Sequence, residues 1–322
     1  MAKVSTTSKL NKKAVLALGG NAISLPDAED SISNQFLHTR QALRGISGLI
    51  ADGYQLVITH GNGPQVGNAL LRVEAAAGKA PILPLGICVA DTEGGMGYMI
   101  EQCLQNVLHF GGQDREVVTI VTQMLVDRND PAFRKPTKYI GQFYSEDKAR
   151  KLETQRGWRM KKDGERGWRR VVASPAPLGA VSSGIIRRLV EDNVIVIAAG
   201  GGGVPVFHDD YRLLEGIDAV IDKDLAAAVL AKEIGADTLL ILTDVEKVAL
   251  NFGKENQQDL DQISAAQAQE YFDQGQFPKG SMGPKIRAAI SFLKSGGKCV
   301  IITSFELASE ALAGSAGTRI TP

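Results

Sequence analysis

The chain has 322 residues, 44% of them hydrophobic and 22% charged, which excludes a largely disordered chain and leaves room for two domains or one large α/β domain. Its 36 Lys+Arg balance 36 Asp+Glu, so the basic excess expected of a general nucleic-acid binder is missing. Glycine is over-used, at 35 residues, or about 11% against a usual value of roughly 7%, with no Gly-X-Y period. Such usage points to tight turns or to backbone that approaches a ligand closely.

The first 13 residues, MAKVSTTSKLNKK, are polar and carry no apolar core of signal-peptide length. Five apolar runs end in glycine or a small polar residue: Ala14–Leu18, Leu56–Thr59, Val117–Thr122, Val194–Ala199 and Thr238–Thr243; Cys299–Thr303 is a sixth. Runs that are apolar at nearly every position read as strands buried on both faces. Between them lie helix-like stretches: Asn34–Asp52, Gln65–Ala77, Met96–Phe110, Ser182–Glu191, Asp224–Ile234 and Ser281–Lys294. The alternation predicts an α/β fold with a mainly parallel central sheet sandwiched between helices. Ligands bind such sheets at the carboxyl ends of the strands, where the glycine clusters fall. No apolar run approaches the roughly 20 residues of a membrane span. Cys88, Cys103 and Cys299 are too few and too scattered for a disulfide framework or a zinc site, so a cytoplasmic protein is expected.

Residues 127–177 break the alternation. They hold both tryptophans, and from Lys148 to Arg170 there are ten Lys/Arg against three Asp/Glu. This segment reads as an insertion folding as a small subdomain. Its charge suits a lid over an anionic substrate, a nucleic-acid patch, or plain solvated surface.

Three glycine turns follow strands: Gly19-Gly20-Asn21, Gly61-Asn62-Gly63-Pro64 and Gly200 to Gly203, the last including Gly201 and Gly202. Each alone is an ordinary strand–helix turn. Together they indicate an anion site, because glycine admits a ligand to the backbone and a following helix offers unpaired N–H groups. There is no Walker-type G-x-x-x-x-G-K-[ST], and Gly61 to Gly67 is one residue too long for the dinucleotide fingerprint. Lys223, between Asp222 and Asp224, and Lys285, early in a helix, each need an anionic partner, either a carboxylate or a bound phosphate. Lys138, in the inserted segment, reads by default as a surface lysine. The four histidines show no metal-ligand spacing, and His60, beside a glycine turn, reads as structural.

The stretches ALGGNAI (17–23), THGNGPQVGN (59–68), PTKYIGQFYSEDKA (136–149), GIDAVIDKDLAA (216–227), LTDVEKVALNFGK (242–254) and FPKGSMGPK (277–285), in this order, resemble the carbamate kinases of the amino acid kinase superfamily. The likeness runs from about Ala14 to Thr321. It implies a polar tail over 1–13 and an amino acid kinase domain over 14–322. The half from 14 to 190 would bind carbamate or carbamoyl phosphate and hold the lid; the half from 191 to 322 would bind nucleotide. The activity implied is Mg²⁺-dependent reversible phosphoryl transfer between ATP and carbamate, with ADP and carbamoyl phosphate as the other pair, in a homodimer with no nucleic-acid or membrane partner. Gly19, Gly20, Asn21, Gly61, Asn62 and Gly63 would cradle the phosphoryl group and carbamate. Lys223 and Lys285 would neutralise phosphate charge, Asp224 would orient them, and Lys138 would reach in from the lid. Asp244, Val248 and Met282 would lie near the nucleotide.

The resemblance has gaps. Tyr139 and Gln142 stand where the family often has proline, Ala173 and Ala176 fall in a stretch that usually carries a lysine, and Ala249 replaces a larger residue. These changes leave open a weakly active, ligand-sensing paralogue, or a kinase acting on another small carboxylate.

Overall fold

The computed structural model describes residues 12–20, 23, 31–278 and 280–322. Its centre is an eight-stranded sheet. In chain order the strands are β1 (Lys13–Leu18), β2 (Gln55–His60), β3 (Val117–Ile120), β4 (Ile195–Ala198), β5 (Thr238–Thr243), β6 (Gln262–Ser264), β7 (Cys299–Ser304) and β8 (Thr318–Thr321). Their spatial order is β6-β8-β7-β5-β1-β2-β4-β3. Every pairing is parallel except β7 with β8.

Both faces of this sheet are covered, which explains why its strands are apolar at successive positions. In β1, Val15 and Ala17 enter one core with Val57, Leu239 and Ile241, while Leu16 and Leu18 enter the other with Leu56, Ile58 and Leu240. The first core is closed by α3 (Lys223–Ile234) and α4 (Met282–Lys294). The second is closed by the helix Ile32–Arg44 and by α2 (Leu85–Phe110). A further helix, α1 (Gly63–Ala75), starts at the end of β2, with Pro64 in its first turn.

Several boundaries differ from those read in the sequence. The stretch 34–52 is two helices, Ile32–Arg44 and Ser47–Ala51, parted at Gly45. A Cβ at Gly45 would lie 2.2 Å from the Phe305 carbonyl oxygen, so close packing fixes the break. Helix α2 begins at Leu85, eleven residues before the expected Met96. Gly86, Gly94, Gly95 and Gly97 hide its first half, since glycine disfavours helix. Gly97 has a tertiary reason: a Cβ there would meet Thr119 Cγ2 at 2.2 Å. The run 117–122 leaves the sheet at Ile120, and the chain continues into a second, four-stranded sheet at Gln123–Val126.

That second sheet also takes in Pro177–Ala180, Val204–His208 and Leu214–Gly216. Between Val126 and Pro177 the chain builds a separate three-stranded sheet from Lys138–Tyr144, Met160–Lys162 and Trp168–Val172. This small sheet has its own apolar cluster of Tyr144, Ala149, Leu152 and Met160, packed by Trp158 and Trp168. Arginine planes cover its aromatic rings: Arg150 lies 4.4 Å from the Trp168 centroid and Arg170 4.5 Å from that of Trp158. Much of the basic run is therefore used in packing.

Candidate active site

The glycine turns lie together at the carboxyl ends of adjacent strands. Gly19 N–H donates to the Leu242 carbonyl at the end of β5, and Gly61 N–H donates to the Leu18 carbonyl at the end of β1, both at 3.0 Å. The turns pack closely at Gly19 and Gly61. A Cβ at Gly61 would lie 3.1 Å from Gly20 N and 3.4 Å from Lys223 Cδ.

Helix α3 starts at this point because Asp222 caps it, accepting from the N–H groups of Asp224 and Leu225 at 3.1 and 3.4 Å. The cap aims two consecutive side chains inward. Lys223 Nζ is 2.5 Å from Asp224 Oδ1, and Lys285 Nζ, from the first turns of α4, is 3.1 Å from Asp224 Oδ2. Asp224 is 3% exposed. Burial alone would raise its pKa, but Lys223 and Lys285 hold the carboxyl below its ordinary value. Burial lowers the pKa of Lys223, and the Lys285 charge adds to this, against the opposing pull of Asp224. Two cations on one carboxylate leave a net positive charge in a low-dielectric pocket, which is a site for a further anion.

Lys138 lies next to this group. Its Nζ is 3.3 Å from Asp222 Oδ2, with the lysine side chain 41% exposed. Thus one strand of the small sheet reaches the residue that caps α3.

A cleft of about 360 Å³ opens from the two-lysine centre. Gly19, Gly20, Lys223 and Lys285 line it together with Asp244, Ala249, Phe252, Phe277 and Met282. Charged and apolar side chains lining one pocket of this size suit a small molecule with a phosphate tail.

Asn21 lies outside the described residues. Val248 does not line the cleft. Its side chain is fully buried in the core and its N–H donates to Thr318 Oγ1 at 2.8 Å, while its neighbours Lys247 and Ala249 are at the cleft wall. Strand alternation sends Val248 inward, away from its neighbours. Gly201 and Gly202 are buried behind the site surface, where Cβ atoms would strike Asn62 Nδ2 at 2.1 Å and the Ile221 carbonyl at 2.4 Å. Phe252, Phe277 and Phe305 also line the cleft. Isolated aromatics in loops carry no spacing signal, so the sequence alone did not single them out.

The family model for the amino acid kinase family matches residues 12–304. The chain belongs to the amino acid kinase family. Within the family, it is 48% identical to a carbamate kinase of Pyrococcus furiosus over 315 residues, covering 97% of this chain and all of that one. It is 46% identical to the carbamate kinase-like protein YahI of Escherichia coli, at 97% and 99% coverage. The fold superposes on a carbamate kinase from Giardia lamblia bound to AMP-PNP with a TM-score of 0.92 and 42% identity, covering 97% and 99% of the two chains.

Proposed function

We propose that this amino acid kinase is a carbamate kinase, making ATP and carbamate from ADP and carbamoyl phosphate and running the reverse reaction. The observation that carries this reading is the buried Lys223–Asp224–Lys285 cluster at the meeting point of the glycine turns. Phosphoryl transfer needs positioning and cationic stabilisation of the equatorial oxygens more than it needs covalent chemistry from the protein. Carbamate is already an anion, so no base has to deprotonate it. Lys223 and Lys285 would sit against the transferred group, and Asp224 would hold their Nζ atoms in place. Gly19, Gly20, Gly61 and Gly63 would present backbone to the phosphoryl oxygens, while the apolar cleft residues Ala249, Phe252, Phe277 and Met282 would take the base of the nucleotide.

Among the described residues no group of three or more His, Cys, Asp or Glu could hold a metal ion. Both Asp224 oxygens already accept lysines, so the donor set fits a cation carried by nucleotide phosphates and water. Mg²⁺ bound in that way would neutralise charge on the nucleotide phosphates.

The small sheet would act as the lid, with Lys138 moving from Asp222 to the phosphoryl group. Exposed Ile82 and Leu83, just before α2, and Ile87 and Tyr98 on it would offer an apolar face for the second copy of a homodimer. No helix among the described residues is long and apolar enough to cross a membrane. All three cysteines are buried and free, which favours the reducing cytoplasm.

The deciding experiment is ATP formation from ADP, Mg²⁺ and carbamoyl phosphate, with acetyl phosphate as the control acyl donor. Turnover with carbamoyl phosphate alone supports the reading. Background rates in folded protein that still binds ADP would favour the ligand-sensing alternative, which the changes at Tyr139, Gln142 and Ala249 keep in view.

A further inference from the structure

Two adjacent residues in the first half of α2 each grip a different glycine turn. Thr92 Oγ1 accepts from Asn62 Nδ2 at 2.9 Å, and its own hydroxyl donates to the Val89 carbonyl at 2.8 Å. Glu93 Oε1 accepts from Gly200 N–H at 2.9 Å. All of these groups are buried: Thr92 is 8% exposed, Glu93 1% and Asn62 4%. The two turns also touch each other, since a Cβ at Gly201 would fall 2.1 Å from Asn62 Nδ2. A Cβ at Gly200 would meet both His60 Nε2, at 2.3 Å, and Glu93 Cγ, at 2.9 Å.

The Gly200 turn needs such a hold. Ala199, just before it, has a positive φ of 52°, and Gly201, Gly202 and Gly203 have φ of 63°, 96° and 83°. A non-glycine residue in this region is strained and persists only where its surroundings impose it. Thr122 Oγ1 accepts from Ala199 N–H at 2.9 Å, and Thr59 Oγ1 donates to the Ala199 carbonyl at 2.7 Å. These contacts fix the residue before the turn; Glu93 fixes the turn itself.

We propose that Thr92 and Glu93 are positioning residues of the phosphoryl-transfer site, a two-point clamp by which α2 sets the spacing of the Gly61–Gly63 and Gly200–Gly203 turns. Neither touches the substrate; each acts through the group it holds. A buried carboxyl is costly to maintain even where backbone amides donate to it, and a methionine of similar size would fill the space without that cost. The clamped Gly61–Gly63 turn packs against Gly20 and Lys223, and neither Thr92 nor Glu93 lines the cleft that holds Phe252, Phe277 and Met282. Loss of the clamp should therefore reduce turnover and carbamoyl phosphate recognition and spare nucleotide binding.

This inference rests on the carbamate kinase reading for its kinetic arm and is independent of it in its exchange arm. The variants are Thr92→Val and Glu93→Met, which remove the acceptor and keep the volume, with Thr92→Ser and Glu93→Gln as the versions that retain it. Thr92→Val and Glu93→Met are expected to lower kcat by about 10–100-fold, the upper figure being what misplacement of reacting groups by about 1 Å costs. The KM for ADP should stay within about two-fold, while Thr92→Ser and Glu93→Gln should keep most of the wild-type kcat. Hydrogen exchange should speed up across Gly200–Gly203 in Glu93→Met and across Gly61–Val66 in Thr92→Val, and stay at wild-type rates in the conservative variants. If the wild-type enzyme does not turn over, the function reading fails and the exchange arm still decides the clamp. If Glu93→Met does not fold, Thr92→Val carries the test. Wild-type kcat in folded Thr92→Val, a rise in the KM for ADP matching the loss in kcat, or unaltered exchange at both turns would overturn the proposal.

Discussion

Lys285 Nζ lies 3.1 Å from Asp224 Oδ2 although the two residues are 61 positions apart. The other oxygen of the same carboxylate takes Lys223, its neighbour in sequence. One buried carboxylate thus links α3 to α4 and fixes the spacing of two ammonium groups.

That link makes the lysines matter for both rate and stability. Alanine at Lys223 or Lys285 should lower kcat by on the order of 10²–10³, as loss of one electrostatic stabiliser does. From sequence alone, stability would be expected to change little, since neither truncation removes core volume. The ion cluster overturns that expectation. Each truncation leaves the buried Asp224 with one partner fewer, which costs roughly 1–3 kcal/mol. Asp224→Asn is harsher, since it takes from two largely buried cations the carboxylate they share, leaving Lys223 only the weaker pull of Asp222, and about 3–5 kcal/mol is at stake. Steady-state kinetics with urea denaturation of each variant checks both parts; an unchanged rate in a folded lysine variant removes that lysine from the mechanism.

Lys138 should behave differently. Its side chain is 41% exposed and its contact with Asp222 is an exposed-edge pair, so Lys138→Ala should leave stability within about 1 kcal/mol of wild type. Turnover should fall while ADP affinity stays nearly intact, because the contact with phosphoryl oxygens is made mainly in the transition state. ADP titration and protease digestion of residues 127–177 with and without ligand test this. Normal turnover in the variant and no ligand protection would return the segment to ordinary surface.

Glu93 gives a pH signature. Burial, the largest cause, pushes its pKa from 4.5 up to about 8, against the N–H donors of Thr122 and Gly200. The folded protein keeps this proton in a range where the unfolded chain has released it. Its contribution to stability is therefore full below about pH 4.5 and is lost as pH rises to about 8, a total of up to a few kcal/mol. His60 runs the other way: burial lowers its pKa to about 4, so its contribution is lost as pH falls from 6.5 through 4. In Glu93→Gln the first slope should vanish. The stability difference between variant and wild type should widen from pH 5 to pH 8 and then level off, measured by denaturant unfolding at each pH. A constant difference would show that Glu93 is already ionised at pH 5.

Gly201→Ala should unfold at lower temperature and lose activity. Its φ of 63° strains any Cβ, and that Cβ would collide with Asn62. The two penalties together come to roughly 2–4 kcal/mol. Gly184→Ala is the control: it lies in the helix Ser183–Glu191 with nothing within 4 Å of its Cβ, and should be neutral or gain up to about 1 kcal/mol. Paired thermal melts decide the matter, and equal Tm values would contradict the packing argument.

The amino-acid sequence by itself determined the mainly parallel α/β sheet, because strands buried on both faces must be apolar at successive positions, as in Leu239 to Leu242. It also singled out Lys223 and Lys285 as lysines in need of an anionic partner, while the roles of Lys138 and Asp224 came only with the resemblance to the carbamate kinases. Tertiary structure alone decided which charge answers which, because Lys285 reaches Asp224 only when α4 packs beside α3. The same holds for Val248, whose inward side of the strand depends on register, and for the first half of α2, where four glycines contradict helix propensity until Thr119 packs on Gly97. Thr92 and Glu93 fall in that hidden half. Their partners Asn62 and Gly200 lie 30 and 107 residues away, a distance over which no local pattern in the chain can signal a hydrogen bond.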